Sequence, residues 1–399
     1  MELSRKAQAI EPSLTLAITA KAKEMKEKGI DVISFSAGEP DFNTPKNIIN
    51  AAIKAMEDGN TKYTSVNGIL QLREAICKKF KDDNGLEYNP SQIVVSTGAK
   101  QSLANTFLAI LNPGDEVIVS TPYWVSYPEL IKLADGKPVF VEGDEKSNYK
   151  FTKENLEKAV TAKTKAIVLN TPNNPTGTIY NKEELEVIAD FAKKYNIIII
   201  SDEMYEKLIY DNENHISIAS LSKDTYERTI VINGLSKSYA MTGWRIGYCA
   251  ASEKIAKLMM SIQSHVTSNV CSITQYAALE ALNGPQDEIT KMINEFEKRR
   301  NYMINRIESI DNLSIVKPKG AFYIMINIEN CLGKEINGKI LNDSMEFCAS
   351  LLENEKLAVI PGKAFGLNNY IRVSYATSME AIKEGLNRIE SFIKKLKVL

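Results

Sequence analysis

Five short apolar runs between residues 92 and 233 constrain the fold of this chain more than any other feature. Each run is rich in isoleucine or valine, and segments with helical spacing lie between them. Continuous apolar β-runs that alternate with helices indicate a parallel sheet covered by helices on both faces. The runs occupy residues 92–96, 116–120, 166–170, 197–201 and 229–233. The sequence therefore predicts an α/β fold that binds its ligand at the carboxyl ends of the strands.

The chain has 399 residues, which suits one large domain with a smaller companion. The pattern changes beyond residue 290, where a long charged helix predicted over 287–310 precedes further helices and strands. Within the first part, the pattern predicts a helix over 17–28 and a strand over 32–35. We expect an N-terminal arm over residues 1–45 that adds to a small domain. A large cofactor-binding domain should follow over residues 46–290, and a small C-terminal α+β domain over residues 291–399.

Charge and cysteine content narrow the classes of partner. Lys and Arg number 49 against 50 Asp and Glu, so no global field favours nucleic acid or an anionic membrane. No apolar run approaches the ~20 residues that span a bilayer, and the N-terminus lacks the apolar core of a signal peptide. Five scattered cysteines without a CxxC pair indicate reduced thiols and a cytoplasmic location. Only two histidines are present, so we expect no metal site and look to a lysine or a carboxylate for the base.

The last apolar run leads directly into a candidate reactive lysine. After residues 229–233 come Gly234, Ser236 and Lys237, and Arg245 follows eight residues later. A lysine at the end of a buried strand is desolvated, which lowers its pKa and makes the neutral amine available as a nucleophile and base. Ser236 and Arg245 are donors suited to a phosphate. Together they predict a site for an aldehyde that carries a phosphate, which describes pyridoxal 5′-phosphate.

Residues 234–247, GLSKSYAMTGWRIG, resemble the lysine signature of the class I aminotransferases position by position. The resemblance extends from residues 37–42 to Arg372 and is closest to the bacterial aspartate aminotransferase-like subgroup. It implies the pyridoxal-phosphate-dependent transferase fold type I. That fold has a large domain with a mostly parallel sheet covered by helices, plus a smaller α+β domain. It also implies a homodimer whose sites are shared across the interface.

The resemblance assigns catalytic roles to residues at the ends of the predicted strands. Lys237 would form the internal aldimine and later shuttle the proton between the substrate Cα and the cofactor. Asp202 would face the pyridine nitrogen and keep it protonated, although it could instead cap a following helix. Asn174 and Tyr205 would hydrogen-bond the 3′-oxygen of the ring. Asn174 also suits the turn of the Asn-Asn-Pro-Thr-Gly segment, and both roles can coexist.

Further cofactor contacts are implied at two other strand ends. Gly98, Ala99 and Lys100 precede a helix predicted over 101–111, whose free backbone N–H groups suit a phosphate. Trp124, one of two tryptophans, would stack on the pyridine ring, or it could belong to the core. The resemblance therefore places both ends of the cofactor at the carboxyl edge of the sheet.

The resemblance also implies contacts with the substrate and with a neighbouring subunit. The backbone of Gly38 and the guanidinium of Arg372 would meet the substrate carboxylate, with Trp124 and Asn174 beside them. Arg372 could instead be an ordinary solvent-facing arginine. Tyr63 would reach the cofactor phosphate of the neighbouring subunit, or it could be a plain surface aromatic.

Three departures from the family pattern bear on specificity. Gly234 stands where many relatives have a phosphate-binding serine, so Ser236, Arg245 and the turn at 98–100 must do more of that work. Residues 261–276 contain no Arg or Lys, so the side-chain carboxylate arginine of another subgroup is missing, and Lys100 is a candidate substitute. Glu11 stands where prephenate-accepting relatives often carry a basic residue, which argues against that activity.

We expect an aminotransferase that moves an amino group from aspartate to 2-oxoglutarate by a ping-pong mechanism. The alternatives are transamination of aromatic or aliphatic amino acids, a C–S β-lyase on the same scaffold, and a non-catalytic cofactor-binding regulator. A nicotinamide dehydrogenase is disfavoured because no GxGxxG turn follows a strand.

Overall fold

The computed structural model describes residues 2–398. Over these residues the helices are α1 (Arg5–Gln8), α2 (Leu14–Glu27), α3 (Lys46–Glu57), α4 (Leu70–Asn84), α5 (Ala99–Ile110), α6 (Ser126–Leu133), α7 (Lys153–Ala159), α8 (Lys182–Tyr195), α9 (Lys223–Arg228), α10 (Glu253–Val266), α11 (Ser272–Asn283), α12 (Asp287–Glu308), α13 (Ser344–Glu355) and α14 (Met379–Lys394). The strands are β1 (Ile33–Ser34), β2 (Ile93–Ser96), β3 (Glu116–Thr121), β4 (Lys137–Glu142), β5 (Thr164–Asn170), β6 (Ile198–Asp202), β7 (Thr229–Gly234), β8 (Gly247–Ala250), β9 (Ser314–Ile315), β10 (Tyr323–Asn327), β11 (Glu335–Ile336), β12 (Lys339–Ile340), β13 (Leu357–Ala358), β14 (Ile360–Pro361) and β15 (Tyr370–Ser374).

A seven-stranded sheet forms the centre of the molecule, in the order β2-β8-β7-β6-β5-β3-β4. The pairs β4–β3, β3–β5, β5–β6 and β6–β7 are parallel, and β8 runs antiparallel to both β7 and β2. The prediction of a mostly parallel sheet is confirmed. All five apolar runs are strands, but β4 and β8 were not predicted from the sequence. Strand β4 is an edge strand with a partly exposed pattern, and β8 is short and begins at a glycine, so neither gives a strong apolar signal.

Both faces of this sheet are covered because successive side chains of a strand point to opposite sides. On β7, Ile230 and Ile232 pack in one cluster with Phe107 of α5, whereas Val231 packs in another cluster with Ile76 of α4. Every residue of β7 is buried. Burial on both faces explains why the run is continuously apolar.

The C-terminal part forms a second, antiparallel sheet in the order β14-β15-β10-β9. Its core is shared with α12, α13 and α14 and also takes in Phe35 and the segment around Tyr205. The N-terminal segment joins this part through the parallel pair β1–β13 and through the hydrogen bond from the backbone N–H of Ser374 to the carbonyl of Phe35, 2.9 Å. These contacts favour the predicted grouping of the arm with the small domain, and the boundaries at residues 45 and 290 stay a prediction.

Helices α2 and α5 begin earlier than the sequence predicts, and local capping explains the first of these differences. Helix α2 begins at Leu14, before the predicted residue 17, because the Ser13 hydroxyl caps it by accepting from the N–H of Leu16. Helix α5 begins at Ala99, with Gly98 as its N-cap at a φ of +80°, a conformation that glycine adopts without steric cost. The helix N-terminus therefore lies at the strand end itself. Among the described residues, no helix is long and apolar enough to cross a bilayer.

Candidate active site

A cleft of about 480 Å³ lies at the carboxyl edge of the seven-stranded sheet, where it faces β10 and β15 of the second sheet. This is the position predicted for a ligand in an open α/β sheet. Its walls include all but two of the residues predicted for the site: Gly38, Ala99, Lys100, Trp124, Asn174, Asp202, Tyr205, Ser236, Lys237, Arg245 and Arg372. Gly98 lies directly behind Arg245, and Tyr63 lies outside the cleft with its side chain 92% exposed.

Lys237 follows β7 by three residues, so the strand end fixes where its side chain enters the cleft. Its Nζ donates a hydrogen bond to the carbonyl of Gly38. Burial lowers the pKa of Lys237 to about 8; the carboxylate of Glu39 opposes this shift, and the cations of Arg372, Arg245 and Lys100 reinforce it. In a substantial fraction of the molecules, the Lys237 side chain is therefore a neutral amine close to physiological pH.

Asp202 is the last residue of β6, and its carboxyl group is buried beside the cleft. Oδ2 accepts from Tyr127 Oη at 2.6 Å, and Oδ1 accepts from the N–H of Met204 at 3.3 Å. Burial raises the pKa of Asp202 to about 6, against the lowering effect of these hydrogen bonds. A turn, not a helix, follows Asp202, so the helix-cap alternative is wrong.

Arg372 lies on β15 and is only 3% exposed, so the solvent-facing alternative is wrong. Its Nη1 donates to Asn174 Oδ1 and its Nη2 donates to the Ser36 carbonyl, both at 3.1 Å, while Nε has no partner among the described residues. The guanidinium stacks over Tyr323, 4.3 Å from the ring centroid. A buried guanidinium without a carboxylate partner is suited to bind a carboxylate from a ligand.

A second anion site lies at the start of α5. Arg245 packs so closely against Gly98 that a Cβ there would lie 2.6 Å from Nη2, and a Cβ on Gly247 would lie 2.3 Å from the backbone nitrogen of Ala99. Glycines at both positions thus let the helix N-terminus and the guanidinium converge. Free N–H groups, the helix dipole and Arg245 together suit a phosphate.

The structure also explains why a glycine occupies position 234. A Cβ on Gly234 would lie 2.9 Å from Met204 Cε and 3.0 Å from Gly247 Cα. A serine there would require backbone or side-chain shifts. The buried Ser236 lies at the cleft instead.

Aromatic side chains form one wall of the cleft. Trp124 is half-buried, with the Lys100 ammonium 5.1 Å from its ring centroid and Tyr127 packed edge-on at 5.3 Å. Tyr205 Oη lies 3.1 Å from Tyr323 Oη. Trp124 packs against the core cluster on this side of the sheet and also lines the cleft, so its ring is available to a planar ligand.

Sequence reasoning missed Tyr127, Tyr323 and the pair formed by Thr242 and Glu39, whose Oγ1 and Oε2 are 2.7 Å apart. Tyr127 lies three residues after Trp124, in the first turn of α6, and its ring packs edge-on against that tryptophan, so its nearness in sequence to Trp124 was the available signal. Tyr323 is the first residue of β10, and it reaches the cleft only through the packing of the two sheets. No sequence pattern signals that packing.

The donors and acceptors of this cleft fit pyridoxal 5′-phosphate. Among residues 2–398, no lysine or arginine lies within 4 Å of the Asp202 carboxylate. This buried acid, whose pKa is raised, therefore has no cation in contact with it. A protonated ring nitrogen of the cofactor would be such a cation. Arg245 and the start of α5 suit the phosphate, and Lys237 suits the aldehyde. A sheet and a cleft of this kind define a pyridoxal-phosphate-dependent transferase of fold type I.

Comparisons with known proteins define the family. The family described as aminotransferase class I and II matches residues 30–389. The chain is 50% identical to the aspartate aminotransferase of Bacillus subtilis strain 168, over 99% of this chain and 100% of that protein. Its fold matches the crystal structure of an aspartate aminotransferase from Rhizobium meliloti, with a TM-score of 0.96 and 41% identity over the whole of both chains. It also matches the Thermus thermophilus aspartate aminotransferase with maleate, with a TM-score of 0.92 and 39% identity over 98% and 99% of the two chains.

The chain belongs to the class I and II aminotransferase family, and its cofactor is pyridoxal 5′-phosphate. The predicted family, fold, enzyme class and cofactor are confirmed.

The lowered pKa of Lys237 predicts the pH dependence of its reactivity in the cofactor-free chain. The amine is mostly protonated below about pH 8 and mostly neutral above it. Because acetylation requires the neutral amine, the acetylation rate of Lys237 should rise with pH and reach half its maximum near pH 8. Peptide mass spectrometry across a pH series measures this rate, with exposed lysines as the internal control, since burial does not desolvate their amines. A midpoint for Lys237 equal to that of the exposed lysines would contradict the desolvated site.

Proposed function

We propose that this enzyme transfers the amino group of aspartate to 2-oxoglutarate in a ping-pong reaction. The observation that carries the proposal is that three cations, Lys100, Arg245 and Arg372, line one cleft. None of the three has a carboxylate within 4 Å among the described residues. The cofactor phosphate and the two carboxylates of an acidic substrate are three anions that match them. The names of the relatives in Bacillus and Rhizobium support the same substrate.

In this proposal, each cation has one anion to bind. Arg245, Ser236 and the backbone of Gly98, Ala99 and Lys100 hold the phosphate. Arg372, with Asn174 and the backbone of Gly38, holds the α-carboxylate. The ammonium of Lys100 takes the distal carboxylate, since residues 261–276 offer no arginine for it.

The reacting groups follow from the same cleft. When bound, pyridoxal 5′-phosphate supplies an electron-withdrawing ring that stabilises negative charge at the substrate Cα. Lys237 holds the cofactor and moves the proton at the substrate Cα. Asp202, supported by Tyr127, holds a proton at the ring nitrogen. Trp124 covers the ring, and Tyr205 donates to its 3′-oxygen.

We also propose a cytoplasmic homodimer in which Tyr63 completes the partner's site. Tyr63 is 92% exposed in the single chain, so its ring is free to reach a second subunit. Other exposed apolar side chains, such as Leu108 and Val266, suit an interface. The five free cysteines favour a reducing compartment.

The donor preference tests this function. We expect kcat/KM for aspartate, measured with 2-oxoglutarate as acceptor, to exceed that for alanine by roughly 10- to 100-fold, because a charged hydrogen bond contributes about 1.5–3 kcal/mol. Lys100→Met should reduce this ratio while leaving alanine turnover within about threefold. Aromatic donors and prephenate serve as comparison substrates. Ammonia release without any acceptor would favour the β-lyase instead, and an unchanged ratio in Lys100→Met would remove Lys100 from the substrate site.

A further inference from the structure

Glu203 directly follows Asp202, yet its side chain lies outside the cleft and is fully buried, at 0% exposure. Its Oε1 accepts from Ser201 Oγ and Ser217 Oγ, both at 2.7 Å, and its Oε2 lies 2.9 Å from His215 Nε2. Burying a carboxylate is unfavourable unless it is paired and hydrogen-bonded. Three hydrogen-bonding side chains therefore surround the Glu203 carboxylate, although Glu203 does not line the cleft.

His215 pairs with Glu203, and the Glu206 carboxylate lies within 4.8 Å of the same ring. Its side chain is only 7% exposed, and its Nδ1 has no hydrogen-bond partner in the part of the chain that the structure describes. Since an ionised carboxylate can only accept, Nε2 is the donor. The orientation of the ring is thus set by its bond to Glu203.

A second buried acid holds the other end of the same turn. Glu206 pairs with the Lys79 ammonium, and its Oε2 accepts from Asn84 Nδ2 at 3.0 Å, which ties the turn to α4. The N–H of Glu206 donates to the carbonyl of Glu203 at 3.0 Å. Residues 203–206 are therefore anchored at both ends by buried carboxylates.

The anchored turn carries residues of the cleft between its anchors. Asp202, Met204 and Tyr205 line the cleft, whereas Glu203 and Glu206 point away from it. The carbonyl of Asp202 is held in addition by Asn170 Nδ2 at 2.9 Å. The side chains that face the ring are thus located by bonds made behind the sheet edge.

We propose that Glu203, with its donors Ser201, Ser217 and His215, is a positioning residue that holds Asp202 and Tyr205 against the cofactor. This inference rests on the roles proposed above for those two residues. A displacement of about 1 Å in a reacting or supporting group lowers rates by roughly 100-fold. The network acts through the backbone and touches neither cofactor nor substrate.

The test compares Glu203→Ala with Glu203→Gln, whose amide oxygen still accepts from both serines and whose amide nitrogen donates to His215 Nε2 when the ring proton moves to Nδ1. Three quantities are measured: the dissociation constant of pyridoxal 5′-phosphate from the apoenzyme, the pH midpoint of the bound cofactor's absorbance change, and kcat/KM for aspartate. We expect Glu203→Ala to weaken cofactor binding by about 10-fold, to shift the absorbance midpoint, and to lower kcat/KM by roughly 10- to 100-fold. Glu203→Gln should stay within about threefold of the parent enzyme in binding and kcat/KM.

Glu184→Gln is the matched control. Glu184 lies outside the cleft, and its carboxylate forms a partly buried ion pair with the Lys150 ammonium at a distance of 2.7 Å. It should lower the unfolding temperature without changing the three quantities. If Glu203→Ala does not fold, Ser217→Ala removes one donor and retains the charge, and it should weaken cofactor binding in the same direction.

Two results would overturn the proposal. In the first, Glu203→Ala, or Ser217→Ala in its place, keeps the cofactor affinity and the absorbance midpoint of the parent enzyme. In the second, Glu203→Gln is as impaired as Glu203→Ala. The second result would assign the effect to the charge and not to position. If the parent enzyme failed to use aspartate, the cofactor affinities and absorbance midpoints would still decide the role of Glu203.

Discussion

Lys237→Ala should lower kcat for aspartate by a factor on the order of 10⁴, since a positioned acid–base group alone contributes up to about that much. The variant loses both the amine that holds the cofactor and the base that moves the Cα proton. It should fold normally, because the substitution removes a desolvated ammonium and leaves only one hydrogen bond, to the Gly38 carbonyl, unmade. Single-turnover absorbance measurements with aspartate isolate the chemical step.

Lys223→Ala is the control for this experiment, since Lys223 is 91% exposed and lies outside the cleft. A small added amine should restore part of the lost rate if Lys237 acts as a base, and it would not repair a folding defect. A rate for Lys237→Ala above about one hundredth of the parent value would show that another group moves the proton.

Burial shifts the pKa values of Lys237 and Asp202 so that each group moves toward neutrality, one from the cationic and one from the anionic side. It lowers the pKa of Lys237 to about 8 and raises the pKa of Asp202 to about 6. Both groups are thus less charged at physiological pH than they are in water, and neither has an oppositely charged side chain within 4 Å among the described residues. A ring that carries an aldehyde at one end and a basic nitrogen at the other can engage both groups, so one cofactor fits the neutral amine and the buried carboxylate together.

The positions of the residues proposed to react were predictable from the sequence because strand ends determine them. Lys237, Asp202 and Trp124 each follow an apolar run by a few residues, and the carboxyl ends of parallel strands meet at one edge. The position of Arg372 within a C-terminal strand was also predictable. Its burial was not, because it depends on how β15 packs against Asn174 and the N-terminal segment.

What the sequence did not reveal comes from contacts between distant segments. Tyr127 and Asp202 are 75 residues apart, and Tyr205 and Tyr323 are 118 residues apart, so no local pattern links them. The start of α5 was placed two residues late because the positive φ of Gly98 has no signature beyond the glycine itself. The role of Tyr63 depends on a second subunit and stays a prediction.

Replacing Arg372 by leucine should lower kcat/KM for aspartate by roughly 30- to 4,000-fold, because truncating one partner of a buried, hydrogen-bonded charge pair costs about 2–5 kcal/mol. Arg372→Lys should recover only part of the loss, since an ammonium cannot make the two parallel bonds of a guanidinium to a carboxylate. Steady-state kinetics with aspartate and 2-oxoglutarate give the ratio.

A substrate without a carboxylate distinguishes the two possible causes of this loss, which are weaker carboxylate binding and a distorted cleft. An amine that has no carboxylate cannot use Arg372, so its slow turnover should be the same in the parent enzyme and in Arg372→Leu. Arg228→Leu breaks a partly buried ion pair with Asp224 at 2.6 Å, outside the cleft, and should lower stability while leaving kcat/KM for aspartate unchanged. If Arg372→Leu lost equal activity toward the amine and toward aspartate, the guanidinium would be holding Asn174 and Ser36 in place, and the α-carboxylate would bind elsewhere.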